Sequence, residues 1–391
     1  SLADAPADVR AAAVADEAYW KKLCPMLHVC DPDLRRQLRS AIIDPDPDLV
    51  DELRARMARD GYWDIDAAAR RADSGDLQLP WLISVEAMAQ GLARLAAAGW
   101  PPSFLLMYDE PWVMAHQLKH LILHTSGNLL LFDFALFHVG SGRTPSGDVD
   151  APDGASHRGW APHRDRGVDA TAGAFRSDQT PKYTTMWVAL TDATPYSSCL
   201  MCVPKRYDPG YHGGDGARDP MAQIIRTHGM GAALQYVRAL PVRAGSAIHF
   251  SHRLLHWGSA SDEIERASRG EAPRMALSFA FADSQFERPF LSDAAARAPL
   301  PSAATRAGLI AGLALFYAAN ESPGAWRCRL YWDVFRAARA EGAFAERFAA
   351  TVDANFAALA AAEVAAEAAA EAEAAAEVEA EVEAEAEAEA E

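Results

Sequence analysis

The sequence predicts a mostly β core with α-helical flanks, built as a double-stranded β-helix, the jelly roll found in cupins. Short apolar and β-branched runs separated by Gly, Pro and Asp begin near Pro101, a pattern typical of an all-β sandwich or barrel. Helical periodicity dominates before that point and again after Phe290. A single β-rich domain commonly reaches about 200 residues or more, so a chain of 391 residues does not require two catalytic domains.

The predicted organisation has four parts. We expect an N-terminal helical region packed on the core at 1–100, the double-stranded β-helix at 101–290, C-terminal helices at 291–351 and an Ala/Glu-rich low-complexity tail at 352–391. Twelve Glu residues from Glu363 onward carry most of the net charge of −17, leaving about −5 on the rest. The body is therefore only mildly acidic, which argues against a protein that binds nucleic acid through a basic face.

The N-terminal region contains three predicted helices. Apolar residues recur at helical spacing in residues 11–23, 47–60 and 84–98, and Gly99 marks the end of the third helix. We identify no candidate catalytic residue in this region. Its expected role is to cover the core.

Five runs in the central region predict strands, because they are rich in β-branched and aromatic residues and are bounded by turn signals. They are residues 129–139, 183–190, 199–203, 240–250 and 275–282.

Helix and loop predictions fill the rest of the central region. A helix is predicted at 112–124. Residues 140–159 and 204–220 are rich in Gly, Pro and Asp and are predicted to be loops.

Cysteine usage and hydropathy bear on location. Five scattered Cys residues are typical of a reducing compartment rather than of a disulfide scaffold. No apolar run approaches the roughly 18 residues of a membrane span, and no signal peptide is recognisable. We expect a cytoplasmic protein without a membrane partner, although the start at Ser1 leaves a removed targeting peptide open. The sequence does not predict an oligomeric state.

His163 and Asp165 are the first candidates for chemistry. They lie one residue apart in the stretch GWAPHRDRG, and side chains two residues apart in an extended segment point to the same face. An imidazole and a carboxylate, joined by a distant second His, make the facial triad that binds non-heme Fe(II). By itself the tripeptide also fits a solvated surface loop. We interpret the flanking Arg164 and Arg166 as surface charges, with contact to an anionic substrate as the alternative.

A third ligand is expected in the segment GSAIHFSHRLLHWGS, about ninety residues further on. It offers His249, His252 and His256, and the residues alone do not choose among them. Arg274 opens a predicted strand and supplies a bidentate fork suited to the far carboxylate of a metal-bound 2-oxo acid. Arg266 is the rival for that role.

Two other groups of metal-type residues are interpreted as structural. Cys199 and Cys202 have zinc-knuckle spacing, but no second Cys/His pair accompanies them, so we expect two buried thiols. His116, His120 and His124 repeat every four residues along one predicted helix, which we interpret as packing or solvent contact.

The chain resembles the phytanoyl-CoA dioxygenase-like family of Fe(II)/2-oxoglutarate oxygenases over about residues 101–282. The matching stretches are GWAPHRDRG, YTTMWVALTDATPYSSCLMCVPKRYDPGY and VRAGSAIHFSHRLLHWGSAS. Two departures stand out. The segment 262–273 makes the distance from the last histidine ligand to the arginine longer than is usual, and Pro195-Tyr196-Ser197-Ser198 replaces the family's Glu-Asn-Gly turn.

Carried over by position, the resemblance implies that His163, Asp165 and His256 are the iron ligands and catalytic residues. His256 is favoured over His249 and His252 because only His256 has the LLHWG context that resembles the family's. An Asp at position 165, rather than a small residue, leaves no position for a halide and disfavours halogenation.

The resemblance also implies a co-substrate site and an activity. Arg274 matches the residue that binds the 2-oxoglutarate carboxylate, and Trp187 matches an aromatic that lines the co-substrate pocket. We expect a dioxygenase that uses Fe(II), 2-oxoglutarate and molecular oxygen to hydroxylate a small organic substrate, with decarboxylation of 2-oxoglutarate to succinate. The alternatives are a non-catalytic metal-binding jelly roll and a metal-dependent hydrolase. The sequence does not identify the substrate.

Overall fold

The structure is a computed structural model in which two antiparallel sheets are surrounded by helices. The residues that it describes are 14, 16–65, 79, 81–139, 160–166, 173–215, 219–259, 261–298, 300–318, 325–366 and 369. The predicted loop at 140–159 lies outside them.

Eight strands form the two sheets in this described part of the chain. They are β1 (Tyr62–Ile65), β2 (Leu129–Val139), β3 (Tyr183–Ala189), β4 (Leu200–Val203), β5 (Arg238–Leu240), β6 (Ala247–Ser251), β7 (Leu255–Gly258) and β8 (Arg274–Ala282). The larger sheet has the order β1-β6-β3-β8-β2 and the smaller sheet the order β5-β4-β7. All strand pairs are antiparallel.

Helices hold more of the described residues than strands do. They are α1 (Glu17–Leu23), α2 (Pro32–Leu38), α3 (Pro47–Asp60), α4 (Val85–Ala97), α5 (Asp109–Ser126), α6 (Gly210–Gly213), α7 (Pro220–His228), α8 (Met230–Tyr236), α9 (Glu263–Ser268), α10 (Asp293–Ala296), α11 (Ala303–Phe316), α12 (Ala325–Ala340) and α13 (Glu346–Ala366).

Local sequence explains where α3 begins and ends. Asp46 caps it by accepting from the backbone N–H of Asp48, and Pro47 occupies the first turn, where a missing N–H costs nothing. Gly61 ends it in the left-handed conformation at φ +81°, which glycine adopts without steric cost. The predicted helix at 47–60 therefore has the observed bounds.

The larger sheet separates two apolar layers. On β3, Met186 and Val188 pack in the main core with the helices, whereas Trp187 and Ala189 pack in a second core beneath the smaller sheet. This alternation follows from the two-residue period of a strand. The smaller sheet therefore covers one face of the larger sheet, and helices cover the other.

Two sequence predictions are corrected. The strand predicted at 240–250 is two strands in different sheets, β5 and β6, because Pro241 lacks an N–H and Gly245 turns the chain at φ +83°. The N-terminal region, predicted as helical, contributes β1 to the edge of the larger sheet. The arrangement of antiparallel sheets with flanking helices is confirmed. The complete jelly-roll topology and the four domain boundaries stay predictions.

The C-terminal helix α13 extends beyond residue 352, where the low-complexity tail was predicted to begin. Val352 is buried in the main core, and the Phe356 ring stacks on Trp332 at 4.4 Å between centroids. By length and composition alone α13 is apolar enough to cross a membrane, which the sequence prediction overlooked. One such helix is weak evidence of a span, and its inner face packs on α12.

Candidate metal centre

Two parts of the chain bring His163, Asp165 and His256 together. The segment 160–166 lies beside β7, because the His163 N–H donates to the His256 carbonyl at 3.0 Å and the His256 N–H donates back at 3.1 Å. The Trp160 N–H donates to the carbonyl of Gly258 at 2.8 Å. The ligand segment therefore extends the smaller sheet, and β7 lies between it and β4.

The candidate ligand atoms converge on one point. Asp165 Oδ1 lies 3.9 Å from His163 Nε2 and 3.4 Å from His256 Nε2. One ligand atom from each of the three residues lies within 4.8 Å of the others. Among the residues described, this is the group of His, Cys, Asp and Glu that is compact enough to bind a metal ion.

Backbone carbonyls orient both imidazoles. His163 Nδ1 lies 2.8 Å from the carbonyl oxygen of Ala161, and His256 Nδ1 lies 3.0 Å from that of Leu254. A carbonyl oxygen only accepts, so we assign the ring hydrogen to Nδ1 in both residues. The lone pair on each Nε2 is then free for a metal ion, which is the arrangement that partners of ligating histidines usually enforce.

Thr185 on β3 holds the carboxylate of Asp165. Its hydroxyl donates to Asp165 Oδ2, which leaves Oδ1 facing the two imidazoles. The larger and the smaller sheets thus both contribute to the site. Sequence reasoning missed Thr185, although its two-residue spacing from Trp187 places both on the same face of β3.

Burial differs across the three residues, and for His256 it favours the neutral imidazole. The side chain of His256 is 8% exposed, that of Asp165 20% and that of His163 40%. Burial lowers the pKa of His256, although the nearby carboxylate of Asp165 opposes this shift. A neutral imidazole is the form that binds metal. Two imidazoles and one carboxylate, open on one side, therefore match the donor set of non-heme Fe(II).

The two rival histidines do not join this group. His249 on β6 is fully buried against Trp63, 4.6 Å between ring centroids, on the helix side of the larger sheet. Burial lowers the pKa of His249 to about 3. His252 is also fully buried, with Nδ1 at 2.8 Å from the carbonyl oxygen of Tyr183, and burial lowers the pKa of His252 to about 4.

Arg274 is buried beside the far end of β7. Its Nη1 donates to the carbonyl of Ser198 at 2.6 Å, and Nε has no partner among the described residues. A Cβ at Gly258 would lie 2.9 Å from Nη1, so glycine is what allows the guanidinium to approach β7. Burial lowers the pKa of Arg274 to about 10. A buried cation that has no carboxylate partner among the described residues favours an anionic ligand.

Arg266 and Trp187, the other two residues considered for the co-substrate pocket, lie on different elements. Arg266 lies on α9 and donates to the carbonyl of Glu271 at 2.7 Å. Trp187 is 2% exposed and packs in the second core with Cys202 and Ile248. Its side chain therefore lies between the sheets, on the same face of β3 as Thr185.

The interpretation of Arg164 as a surface charge is wrong. Its side chain is 2% exposed and forms ion pairs with Asp208 and Asp215. Arg166 is partly buried, pairs with Glu287 at 2.7 Å and covers the ring of Tyr183 at 4.4 Å. Both acidic partners of Arg164 follow β4 in a stretch predicted as loop, so no local pattern connected them to the ligands.

The other cysteines and histidines that were considered as metal ligands do not belong to the site. Cys199 and Cys202 are buried free thiols, as predicted. On α5, His116 is buried and His124 is exposed. Neither ring nitrogen of His116 has a hydrogen-bond partner in the described residues.

Two histidines and one aspartate converge on an antiparallel two-sheet core, and this arrangement matches the facial-triad class of metal site. Residues 151–267 match the family model described as Phytanoyl-CoA dioxygenase (PhyH). The resemblance to the phytanoyl-CoA dioxygenase-like family is thereby confirmed for this segment, which contains all three residues of the triad. No curated protein matches the chain.

Several solved structures are similar to the chain. The epimerase SnoN from nogalamycin biosynthesis, in complex with Fe3+, alpha ketoglutarate and nogalamycin RO, is 20% identical over 61% of this chain and 85% of that chain, with a TM-score of 0.38. EctD from S. alaskensis in its apoform is 15% identical over 66% and 84%, with a TM-score of 0.38. AviO1 from Streptomyces viridochromogenes Tue57 is 18% identical over 66% and 87%, with a TM-score of 0.28. Likenesses this low assign neither a substrate nor a reaction.

Proposed function

We propose that the protein is an Fe(II)- and 2-oxoglutarate-dependent dioxygenase that hydroxylates a small organic substrate and converts 2-oxoglutarate to succinate and carbon dioxide. The observation that carries this proposal is the convergence of two Nε2 atoms and one carboxylate oxygen, with the buried guanidinium of Arg274 close by. The family match over residues 151–267 supports the same reaction class.

In this proposal His163, Asp165 and His256 hold Fe(II) and act as the catalytic residues. Iron bound with 2-oxoglutarate would supply the oxidising chemistry with molecular oxygen, which amino-acid side chains do not provide. The chain's own contribution is positional. Two backbone carbonyls fix the imidazoles, and Thr185 fixes the carboxylate.

The spacing along β7 suits 2-oxoglutarate. Gly258 follows His256 by two residues, so both lie on the same face of the strand about 6.6 Å apart. The guanidinium of Arg274 lies directly against Gly258. A five-carbon dicarboxylate has the length to reach from a metal at the triad to that guanidinium, whose fork binds a carboxylate bidentately. Trp187 lines this space in the proposal.

In this proposal the substrate binds on the other side of the triad. Tyr183 precedes Thr185 by two residues on the same face of β3 and pairs with Ala282, at the opposite end of β8 from Arg274. The buried Nε2 of His252 has no partner among the described residues. An unsatisfied buried nitrogen favours a polar ligand at this end, which supports a small substrate with a polar group.

Succinate formation tests the proposal. Wild-type protein, Fe(II) and 2-oxoglutarate are mixed in air with a panel of small metabolites, and succinate is quantified. We expect formation that requires all three components, loss in His163→Ala, and retention in the control His249→Phe, whose ring faces away from the triad. A wild-type protein that binds no iron would overturn the proposal.

The same preparation separates the alternatives. A non-catalytic metal-binding protein would bind iron without forming succinate, and a metal-dependent hydrolase would turn over substrate without 2-oxoglutarate. Thermal unfolding adds a check that needs no substrate. A ligand that binds only the folded protein raises its stability, so 2-oxoglutarate is expected to raise the Tm of the iron-loaded protein.

A further inference from the structure

A buried cluster of ion pairs lies behind the metal-ligand segment. It consists of Arg164, Asp208, Asp215 and Arg253, and we name it the Arg164 clamp. Arg164 donates to Asp208 through Nη1 at 2.6 Å and to Asp215 through Nη2 at 2.6 Å. The exposed fraction of the side chain is 2% for Arg164 and 0% for Asp208. Breaking a buried ion pair is strongly destabilising, so the cluster resists displacement of the backbone that carries it.

Arg164 lies between two candidate ligands. In an extended segment its side chain points away from those of His163 and Asp165. The ligands therefore face β7 and β3, while the guanidinium is anchored on the residues that follow β4. Any rotation of the segment that moved the ligand atoms would also break the contacts of Arg164.

Arg253 forms a hydrogen bond with the C-terminal end of the segment 160–166. Its Nη1 donates to the carbonyl of Arg166 at 3.0 Å, and its Nη2 donates to the carbonyl of Gly210 at 2.8 Å. Arg164 Nη1 also donates to the carbonyl of Arg253, three residues before His256. The clamp thus connects both parts of the chain that supply the triad.

The positive and negative charges of the Arg164 clamp are equal in number. Burial alone would lower the pKa of the Arg164 guanidinium, but hydrogen bonds and attraction from Asp208 and Asp215 outweigh burial and raise the pKa. The clamp therefore has two guanidinium groups and two carboxylates. Its net charge is close to zero, so it offers little direct attraction to a metal cation.

Resting on the proposed function, we propose that the Arg164 clamp positions His163 and Asp165 for metal binding, and that Arg164 is its central positioning residue. No atom of the clamp needs to touch the metal. In metalloproteins, loss of partners that orient the ligands typically weakens metal binding about 10- to 100-fold. The clamp is expected to contribute an effect of this size.

Gly210 provides a test that leaves every charge in place. A Cβ at Gly210 would lie 2.6 Å from both Arg164 Nη2 and Asp215 Oδ1, and 2.5 Å from Gln223 Oε1. Gly210→Ala must therefore displace the ion pair together with the neutral side chain of Gln223. Gly213 lies in the same short helix, and a Cβ there meets nothing within 4 Å. Gly213→Ala is therefore the matched control.

Titration with Co(II), whose visible absorption reports its ligand geometry, measures the result without turnover. We expect Gly210→Ala to weaken Co(II) binding about tenfold or more and to change the spectrum, and Gly213→Ala to match the wild type. Thermal unfolding of the metal-free proteins shows whether each variant is folded. A purely structural role would lower that Tm without changing the affinity of the folded protein.

Arg164→Met separates positioning from electrostatics. Removing a positive charge near a cation site should tighten metal binding if only Coulomb forces act, whereas loss of positioning should weaken it. The double variant R164M/D208N removes one positive and one negative charge, so the net charge is unchanged, and Asp215 keeps Arg253 as its partner. Weaker metal binding in this variant therefore reports lost positioning, and it decides the outcome where the single variant fails to fold. Arg176→Met, which removes an arginine paired with Asp283 instead, is the control.

The outcomes are distinguishable. Weaker Co(II) binding in Gly210→Ala and in the folded Arg164 variants supports the proposal. Wild-type affinity in these variants overturns the clamp and leaves the proposed function intact. A wild-type protein that binds no Co(II) overturns the proposed function and the clamp with it.

Discussion

Asp165 joins the two sheets at the scale of single residues. One carboxylate oxygen accepts from Thr185 on the larger sheet, and the other faces two imidazoles beside the smaller sheet. Because each oxygen has its own partner, the carboxylate has little freedom to rotate. The proposed metal site is therefore largely organised before any ion binds.

Arg274 and Arg266 differ in position: the guanidinium of Arg274 lies against Gly258 on β7, whereas that of Arg266 lies beside the carbonyl of Glu271. We expect Arg274→Met to weaken 2-oxoglutarate binding roughly 30-fold, since hydrogen bonds to charged groups contribute about 1.5–3 kcal/mol. Calorimetric titration of the anaerobic iron-loaded protein measures this Kd. Arg266→Met is the control, and it should bind like the wild type. Loss of binding in Arg266→Met instead would show that the co-substrate site has been assigned to the wrong arginine.

His249 is expected to make the fold sensitive to acid. Burial lowers the pKa of His249 from 6.5 to about 3, so below pH 6.5 the unfolded chain takes up a proton that the folded protein refuses. Stability is therefore lost as pH falls from about 6.5 towards 3. When the pH is lowered from 7.5 to 5.5, the free energy of unfolding of the metal-free wild type should fall by about 1.4 kcal/mol more than that of the metal-free His249→Phe variant. Urea unfolding at both pH values measures it, and equal losses would contradict this account.

The residues predicted from the sequence are those with a local signature. The two-residue spacing of His163 and Asp165 identified a shared face, and the structure places both beside His256. The partners of Arg164 could not be predicted, because Asp208 and Asp215 lie 44 and 51 residues further along the chain. Contacts over such separations depend on the fold and leave no periodic pattern.

At the scale of elements, β7 organises the proposed site. One edge of β7 pairs with β4 and the other receives the ligand segment. His256 and Gly258 lie two residues apart on it, one among the metal ligands and the other against Arg274. A four-residue strand thus sets the spacing between metal and co-substrate.

Gly258→Ala tests this role of β7. The added methyl group would lie 2.9 Å from Arg274 Nη1 and 3.5 Å from Ser198 Oγ, so the guanidinium must move. We expect the Kd for 2-oxoglutarate to rise about tenfold, a loss of about 1.4 kcal/mol, while Co(II) binding stays at the wild-type value. Gly231→Ala is the control, because a Cβ there meets nothing within 4 Å. Gly270 also has open space, but its φ of +68° would strain an alanine. Unchanged 2-oxoglutarate binding in Gly258→Ala would contradict the assignment.

Long strands were easier to predict than the short strands β1 and β7. The run 129–139 has the observed bounds of β2, and 183–190 differs from β3 by one residue. Both are long and rich in β-branched or aromatic residues. By contrast, β1 and β7 have four residues each, and their strand character depends on pairing with distant segments.

At the scale of the whole molecule, the helices form the outer layer of the larger sheet and continue into the Ala/Glu-rich region. The main core extends from Val14, which precedes α1, to Val352 in α13. Composition alone suggested a solvated, frayed helix or a disordered tail from residue 352 onward, because Glu at alternating positions from Glu377 leaves no apolar stripe. Val352, Phe356 and Leu359 at the start of that region pack on the core and continue the helix.

Phe356 tests whether this extension of α13 stabilises the fold. Its ring stacks on Trp332 with an interplanar angle of 3°. We expect Phe356→Ala to lower the free energy of unfolding by about 1–2 kcal/mol, less than for a fully buried aromatic. Val364 on the same helix is 65% exposed, so Val364→Ala should change stability by no more than about 0.5 kcal/mol. Urea unfolding that shows equal effects for both variants would argue against the packing.

The most direct measurement of the central claim is anomalous diffraction at the iron absorption edge, from crystals grown without oxygen in Fe(II) and 2-oxoglutarate. We predict one iron peak in direct contact with His163 Nε2, His256 Nε2 and an oxygen of Asp165, with the far carboxylate of 2-oxoglutarate on Arg274. An iron peak bound by other residues, or 2-oxoglutarate bound away from Arg274, would contradict the account.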